Sequence, residues 1–247
     1  MPIPSVIPTP DVFQARKILA VQPHYDDNDI GAGGTLAKLH EMGAVIIYLT
    51  VTDDLMGVLD PAIPPDKASA QLKREQEQAG NIIGVSQQYW LGYPDAGKYD
   101  YFAVRQKIIT HIRMLRPDFI FTPDPWLHYE AHRDHVQTGL AAADAASLYG
   151  LLRIPGDPQV DAAYQPYDLL GIAFYYTAEP NKAVDISSTR LKKEQAIQSY
   201  ASQFTPEDMQ GLLRVLDIKE RSYAEGRGYT HAEGLKVMNT SQLHCGL

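Results

Sequence analysis

Between Pro23 and Leu36 the chain reads PHYDDNDIGAGGTL, which sets His24 beside three aspartates, Asp26, Asp27 and Asp29. Carboxylates this close repel one another, and a divalent cation is one way to compensate. A second cluster, HYEAHRDH, runs from His128 to His135 and holds three histidines and two acids. His132 and His135 are three residues apart, so their rings point to one side if a helix opens at Asp134 or His135. His24, Asp27 and His135 together form a two-histidine, one-carboxylate donor set. That set suits zinc and leaves a coordination position for water, and iron(II) uses the same donors. Asp26, next to a candidate ligand, is free to take a proton from such a water. Each cluster alone has a plainer reading. A DD pair can simply make a turn, and Asp29 can cap a helix or bond the loop backbone. Their joint occurrence points to a metal.

These residues need elements to position them. KILAVQ (17–22) and AVIIYLTVT (44–52) read as strands, the second apolar enough to be buried on both faces. AKLHEMG (37–43) reads as a helix ending at Gly43. Further helices are expected over 67–85, 101–117 and 135–150, and strands over 87–92 and 118–123. This βαβαβαβα order predicts an α/β fold, a parallel sheet wound with helices on both faces. Ligands of such sheets bind beyond the carboxyl ends of the strands. PHYDD leaves the first strand there, TDD (52–54) the second, YPDAG (93–97) the third and the histidine-rich stretch the fourth. Farther along, 152–168 reads as a loop, 168–176 and 182–187 as strands, and 187–204 and 205–227 as helices. No linker or composition shift demands a second domain. The glycines of GAGG (31–34) fail the dinucleotide pattern G-x-G-x-x-G, because Leu36 stands at the third position; they read instead as sites of close helix–strand approach.

The bulk composition narrows the function. The 247 residues are 45% hydrophobic and 21% charged, a globular balance. A net charge of −8 argues against nucleic acid or an anionic membrane as partner. No run approaches the length of a membrane span. The single cysteine, Cys245, allows no intramolecular disulfide and reads as inert, which predicts a reducing, cytoplasmic compartment. The first fifteen residues, rich in proline and without an apolar signal region, read as an extended arm on a one-domain chain.

Taken together, PHYDDNDIGAGGTLAKLHEMG and AHRDH resemble the two signatures of the PIG-L/LmbE-like family of zinc-dependent N-deacetylases. TDD, LKREQEQAGNIIGV, LGYPDAG, the SQ of ASQF and HAEGLK extend the resemblance, in order, over nearly the whole chain. The resemblance implies a Rossmann-like fold, Zn²⁺, and removal of an acetyl group from an amino sugar of the N-acetylglucosamine type or its conjugate. It also implies assembly as trimers or hexamers. By matching positions, His24, Asp27 and His135 are the zinc ligands and Asp26 the general base. His132 stabilises the oxyanion and protonates the leaving amine, Asp134 orients His132, and Asp95 faces the substrate. The chain departs from the signatures at Tyr25, Asn28 and Arg133, and Leu72 stands where relatives carry an arginine, which puts sugar recognition by that arginine in question.

Sugars stack on flat apolar faces, and Tyr93, Tyr99, Trp126 and Tyr129 lie in or beside the edge loops as candidate pocket walls. Three other readings compete with the deacetylase. A metal-dependent phosphoesterase would want more cations near the site than Arg133 supplies. An iron(II) enzyme shares the ligand set. A non-catalytic sugar- or metal-binding module would have no need of Asp26.

Overall fold

The structure, a computed structural model, describes residues 7–244; Cys245 and the first part of the expected arm lie outside that range. Seven strands form one sheet in the order β3-β2-β1-β4-β5-β7-β6. They are β1 (Lys17–Gln22), β2 (Val45–Thr52), β3 (Val85–Tyr93), β4 (Phe119–Pro123), β5 (Gly171–Tyr175), β6 (Lys182–Asp185) and β7 (Ala232–Met238). The first five run parallel, and β7 is antiparallel to both its neighbours. β2 is buried along all but its first residue, as its apolar run requires.

The helices are α1 (Asp27–Glu41), α2 (Pro65–Ile83), α3 (Tyr101–Leu115), α4 (Arg133–Leu148), α5 (Pro158–Ala163), α6 (Arg190–Ile197) and α7 (Pro206–Ala224). They cover both faces. One core joins Leu36 and Leu39 of α1, Leu72 and Ala79 of α2 and Ala196 of α6 to one side of the sheet. The other joins Val104, Ile108 and Ile112 of α3 and the alanines of α4 to the opposite side. The chain winds outward from β1 through β2 to β3, then returns to place β4 on the other flank of β1. β1 and β4 therefore flank the point where strand order reverses, and the crevice beyond their carboxyl ends is the natural ligand site of this architecture.

Several elements differ from the sequence reading. The first helix begins ten residues earlier than expected, at Asp27, so most of the aspartate-rich stretch is helical. Its glycines disfavour a helix locally, but packing demands them: at Gly31 a Cβ would overlap the Tyr175 ring, and at Gly34 it would press on Ile186. Asp29 neither caps a helix nor bonds a loop. It is buried and accepts hydrogen bonds from the hydroxyls of Tyr48 (2.7 Å) and Tyr200 (2.5 Å). Residues 11–15 are a packed turn and not an extended arm, with Val12 and Ala15 in the core. Within the expected loop 152–168 lies the short α5, capped by Asp157. β7 escaped the sequence reading because Glu233, Gly234 and Lys236 interrupt any strand pattern, and its partners are distant in sequence.

β7 also carries a buried ionic cluster. Lys193 of α6 lies 2.7 Å from both Glu233 and Glu220, and Glu233 in turn accepts the backbone N–H groups of Gly34 and Thr35 in α1. Removing one partner of a buried ionic group typically costs about 3–5 kcal/mol. Lys193→Met, which strips buried Glu233 of its cation and leaves Glu220 with Arg190 alone, is expected to lower the unfolding free energy by about that amount in urea denaturation. A loss below about 1 kcal/mol would mean the cluster behaves like a solvated surface pair.

Candidate active site

The ends of β1 and β4 deliver both polar clusters to one cavity of about 340 Å³, within the usual range of ligand pockets. His24, Asp26 and Asp27 enter from the β1–α1 junction, Asp54 and Met56 from beyond β2, Asp95 and Ala96 from beyond β3, and His132 and His135 from the start of α4. Gln203, from the turn after α6, completes the wall.

Asp27 stands between two histidines. Its Oδ2 lies 3.1 Å from His24 Nδ1 and its Oδ1 lies 3.3 Å from His135 Nε2. Each imidazole turns its other nitrogen to an acid: His24 Nε2 faces Asp95 at 3.4 Å and Asp134 at 3.6 Å, and His135 Nδ1 faces Glu130 at 3.3 Å. Metal-binding histidines are commonly held this way, one nitrogen toward the metal and the other N–H on an outer carboxylate. The separations of 3.1 and 3.3 Å run to different oxygens of Asp27, so each carboxylate oxygen sits against one ring. Among the described residues, one donor atom from each of His24, Asp95, His132 and Asp134 also lies within 4.8 Å of the others, and imidazole and carboxylate donors of this kind suit a zinc-sized cation. His132 brings a third ring: one nitrogen from each of His24, His132 and His135 lies within 4.8 Å of the others.

The electrostatics carry the same message. Burial opposes a charged His24, but the carboxylates of Asp134, Asp27 and Asp95 outweigh it and hold its pKa well above the usual histidine range. Burial raises Asp27 too, yet the facing His135 and His24 bring it below its ordinary value, so it stays ionised. Asp26 differs. Burial first, then the negative charges of Asp27 and Asp54, push it well above the carboxylate range against the pull of His24. It is the N-cap residue of α1, and its side chain makes no capping bond. Asp54, pushed up to about 7 mainly by burial, accepts the Tyr25 N–H at 3.1 Å. His132 is held below its usual value by burial, then by the neighbouring imidazoles. Together these carboxylates call for positive charge at His24.

Other expected residues are placed differently. Asp134 accepts hydrogen bonds from Ala96 N–H and Tyr99 O–H, both at 2.8 Å, and faces His24. Its hydrogen bonds thus tie α4 to the turn after β3, where an orienting bond to His132 was expected. Asp95 lines the cavity as expected and accepts the Met56 N–H at 3.0 Å. Tyr93 packs against Tyr99 behind the cavity wall. Trp126 stacks edge-on to Phe174 and lines a separate cavity of about 240 Å³. Tyr129, 103% exposed, projects into solvent from a left-handed backbone position. Leu72 is fully buried in the core, so it offers no contact to a ligand. Glu130, Asp54 and Gln203 received no role from the sequence reading; the acid in HYEAHRDH and the second Asp of TDD were the only signals for the first two.

Known proteins resemble this chain in sequence and in fold. The family described as PIG-L, GlcNAc-PI de-N-acetylase, matches residues 19–146, from β1 to α4. The diacetylchitobiose deacetylase of Thermococcus kodakarensis is 34% identical over 93% of this chain and 85% of its own length. A probable N-acetyl-alpha-D-glucosaminyl L-malate deacetylase of Bacillus anthracis is 26% identical over 85% of this chain and 88% of its own. Among solved structures, an inhibitor complex of N,N'-diacetylchitobiose deacetylase from Pyrococcus horikoshii superposes with a TM-score of 0.87 at 35% identity, covering 94% of this chain and 86% of that one. A family match over half of the chain, together with a relative this similar over nearly all of it, makes the chain a member of the PIG-L family.

Proposed function

We propose that this chain is a zinc-dependent hydrolase that removes the N-acetyl group from an amino sugar of the N-acetylglucosamine type or its conjugate. The observation that carries the reading is the convergence of His24, Asp27 and His135 on one cavity with a buried carboxyl, Asp26, whose side chain is not used as a cap. Relatives named as deacetylases of N-acetylated sugars support it. No lysine or arginine is among the described residues that line the cavity, whereas four aspartates are. An anionic phosphoester would be repelled there, and a neutral acetamido sugar is not.

His24, Asp27 and His135 would hold the cation. When bound, it polarises an amide carbonyl and acidifies water. Asp26 accepts the proton of the attacking water, which its raised basicity favours. An N–H of His132 would donate to the oxygen on which negative charge develops, and the proton taken up by Asp26 would pass by way of this ring to the departing amine, so that His132 ends neutral as it began. Asp134 holds the turn that carries Asp95 and Ala96 against α4, and Asp95 meets the sugar at the rim. Tyr93, set behind that wall, supports the pocket without lining it, while Trp126 and Tyr129 are left to meet the part of a conjugate that extends beyond it. A chain with this site acts on small molecules, and no helix among the described residues is long and apolar enough to cross a membrane. A cytoplasmic location and assembly into trimers or hexamers belong to the same proposal.

The decisive experiment measures metal content by elemental mass spectrometry and acetate released from N-acetylated sugars. About one zinc per chain with zinc-dependent acetate release is expected. Bound iron, or zinc without acetate release from any N-acetyl sugar, would overturn the reading. His132→Ala is expected to retain zinc and lose about 10²–10³ in turnover, the usual cost of an oxyanion donor. Loss of zinc in that variant would instead identify His132 as a ligand.

A further inference from the structure

Tyr176, the residue after β5, has φ +56, a left-handed conformation rarely held by bulky side chains. Such outliers persist where the surroundings over-determine them, commonly at functional sites. Regular strand alternation would send Tyr175 and Tyr176 to opposite faces. Here both reach the start of α1. The Tyr175 hydroxyl donates to Asn28 Oδ1 at 3.1 Å, the Tyr176 hydroxyl donates to the Asp27 carbonyl at 3.3 Å, and the two rings meet edge-on at 4.9 Å. The Tyr176 ring also lies nearly parallel to the His135 imidazole, with centroids 6.0 Å apart and planes 18° apart. The Lys219 ammonium of α7 packs over the same tyrosine at 5.9 Å. One side chain thus touches both Asp27 and His135, which belong to helices on opposite faces of the sheet.

We propose that Tyr176 is a positioning residue that holds Asp27 and His135 at the spacing a cation needs. The proposal rests on the reading of those two residues as metal-holding. Its physical basis is that the direct contact between Asp27 Oδ1 and His135 Nε2, 3.3 Å, is the one a cation must take over. Something other than that contact has to keep the two helix starts in register, and Tyr176 meets both through atoms that do not ligate. The strained backbone is the cost of turning its ring away from the strand direction.

The test compares wild type, Tyr176→Phe and Tyr176→Gly by competition for Zn²⁺ with a chromophoric chelator, below the melting temperature of each protein. Glycine suits the left-handed backbone, so the variant removes ring and hydroxyl while relieving strain. Tyr176→Gly is expected to bind Zn²⁺ about 10–100-fold more weakly, the usual loss when an outer partner of a ligand is removed. Tyr176→Phe keeps the ring on His135 and is expected to lie within about threefold of wild type, since only one long hydrogen bond is lost. Should the glycine variant fail to fold, Tyr176→Leu fills the volume without a ring and is expected to show the same 10–100-fold loss. Wild-type affinity in the ring-free variant, or equal weakening in Tyr176→Phe, overturns the positioning role. A wild-type protein that takes up no Zn²⁺ overturns the metal reading itself, and the positioning role falls with it, so the two failures are distinct.

Discussion

Asp27→Ala is expected to weaken zinc binding by about 10²–10³-fold and to bring acetate release to background. Structural zinc sites with four protein ligands are worth about 10–16 kcal/mol, so one ligand accounts for roughly 3–4 kcal/mol, or about 10²–10³ in affinity. Asp27 bridges the other two candidate ligands, with one carboxylate oxygen on each histidine. Its loss removes a donor and the link between two helices together. Two measurements check this: zinc per chain after dialysis, and the zinc-induced rise in melting temperature. Zinc at about 100 times its dissociation constant stabilises the wild type by about 2.7 kcal/mol, and the variant should show almost none of that at the same concentration. The outcome also separates two donor sets. If the three histidines His24, His132 and His135 hold the metal, Asp27→Ala keeps its zinc and the ligand assignment made here is wrong.

Asp26→Asn separates binding from chemistry. It is expected to retain zinc and lose about 10²–10⁴ in turnover, the usual contribution of a positioned base. Near-normal turnover would sink the base assignment. A second, independent effect is expected on the metal-free protein. Asp26 is buried beside Asp27 and Asp54 and is held above the carboxylate range, so its ionised form at neutral pH opposes folding. An amide of the same shape removes that penalty, and stability should rise by about 0.5–2 kcal/mol, as when function holds a site away from its stability optimum. A variant that is inactive and less stable would point to a structural role for Asp26.

The three aspartates of the opening stretch have three different surroundings. Asp27 faces two histidines. Asp26 faces the cavity with its side chain uncommitted. Asp29 is sealed under two tyrosine hydroxyls from β2 and the turn after α6. Adjacent positions at a helix start point in different directions, about 100° apart per residue. The sequence shows the shared charge but not where each carboxylate points. The same limit explains the aromatic residues. Trp126 and Tyr129 are only a few residues from His132, yet the turns of that loop carry one onto Phe174 and the other into solvent.

The sequence by itself determined the order of strands and helices through β4 and α4, the edge of the sheet at which polar residues gather, and the pairing of an aspartate-rich with a histidine-rich cluster. These depend on local periodicity and on a rule that holds for any wound parallel sheet. Only the tertiary structure decided that β1 and β4 lie side by side, that α1 starts at Asp27 despite its glycines, that β7 runs antiparallel between β5 and β6, and that Tyr176 bridges Asp27 and His135. Each of these rests on contacts between segments far apart in the chain, where packing and hydrogen bonding outweigh the fraction of a kcal/mol by which local propensity favours one conformation.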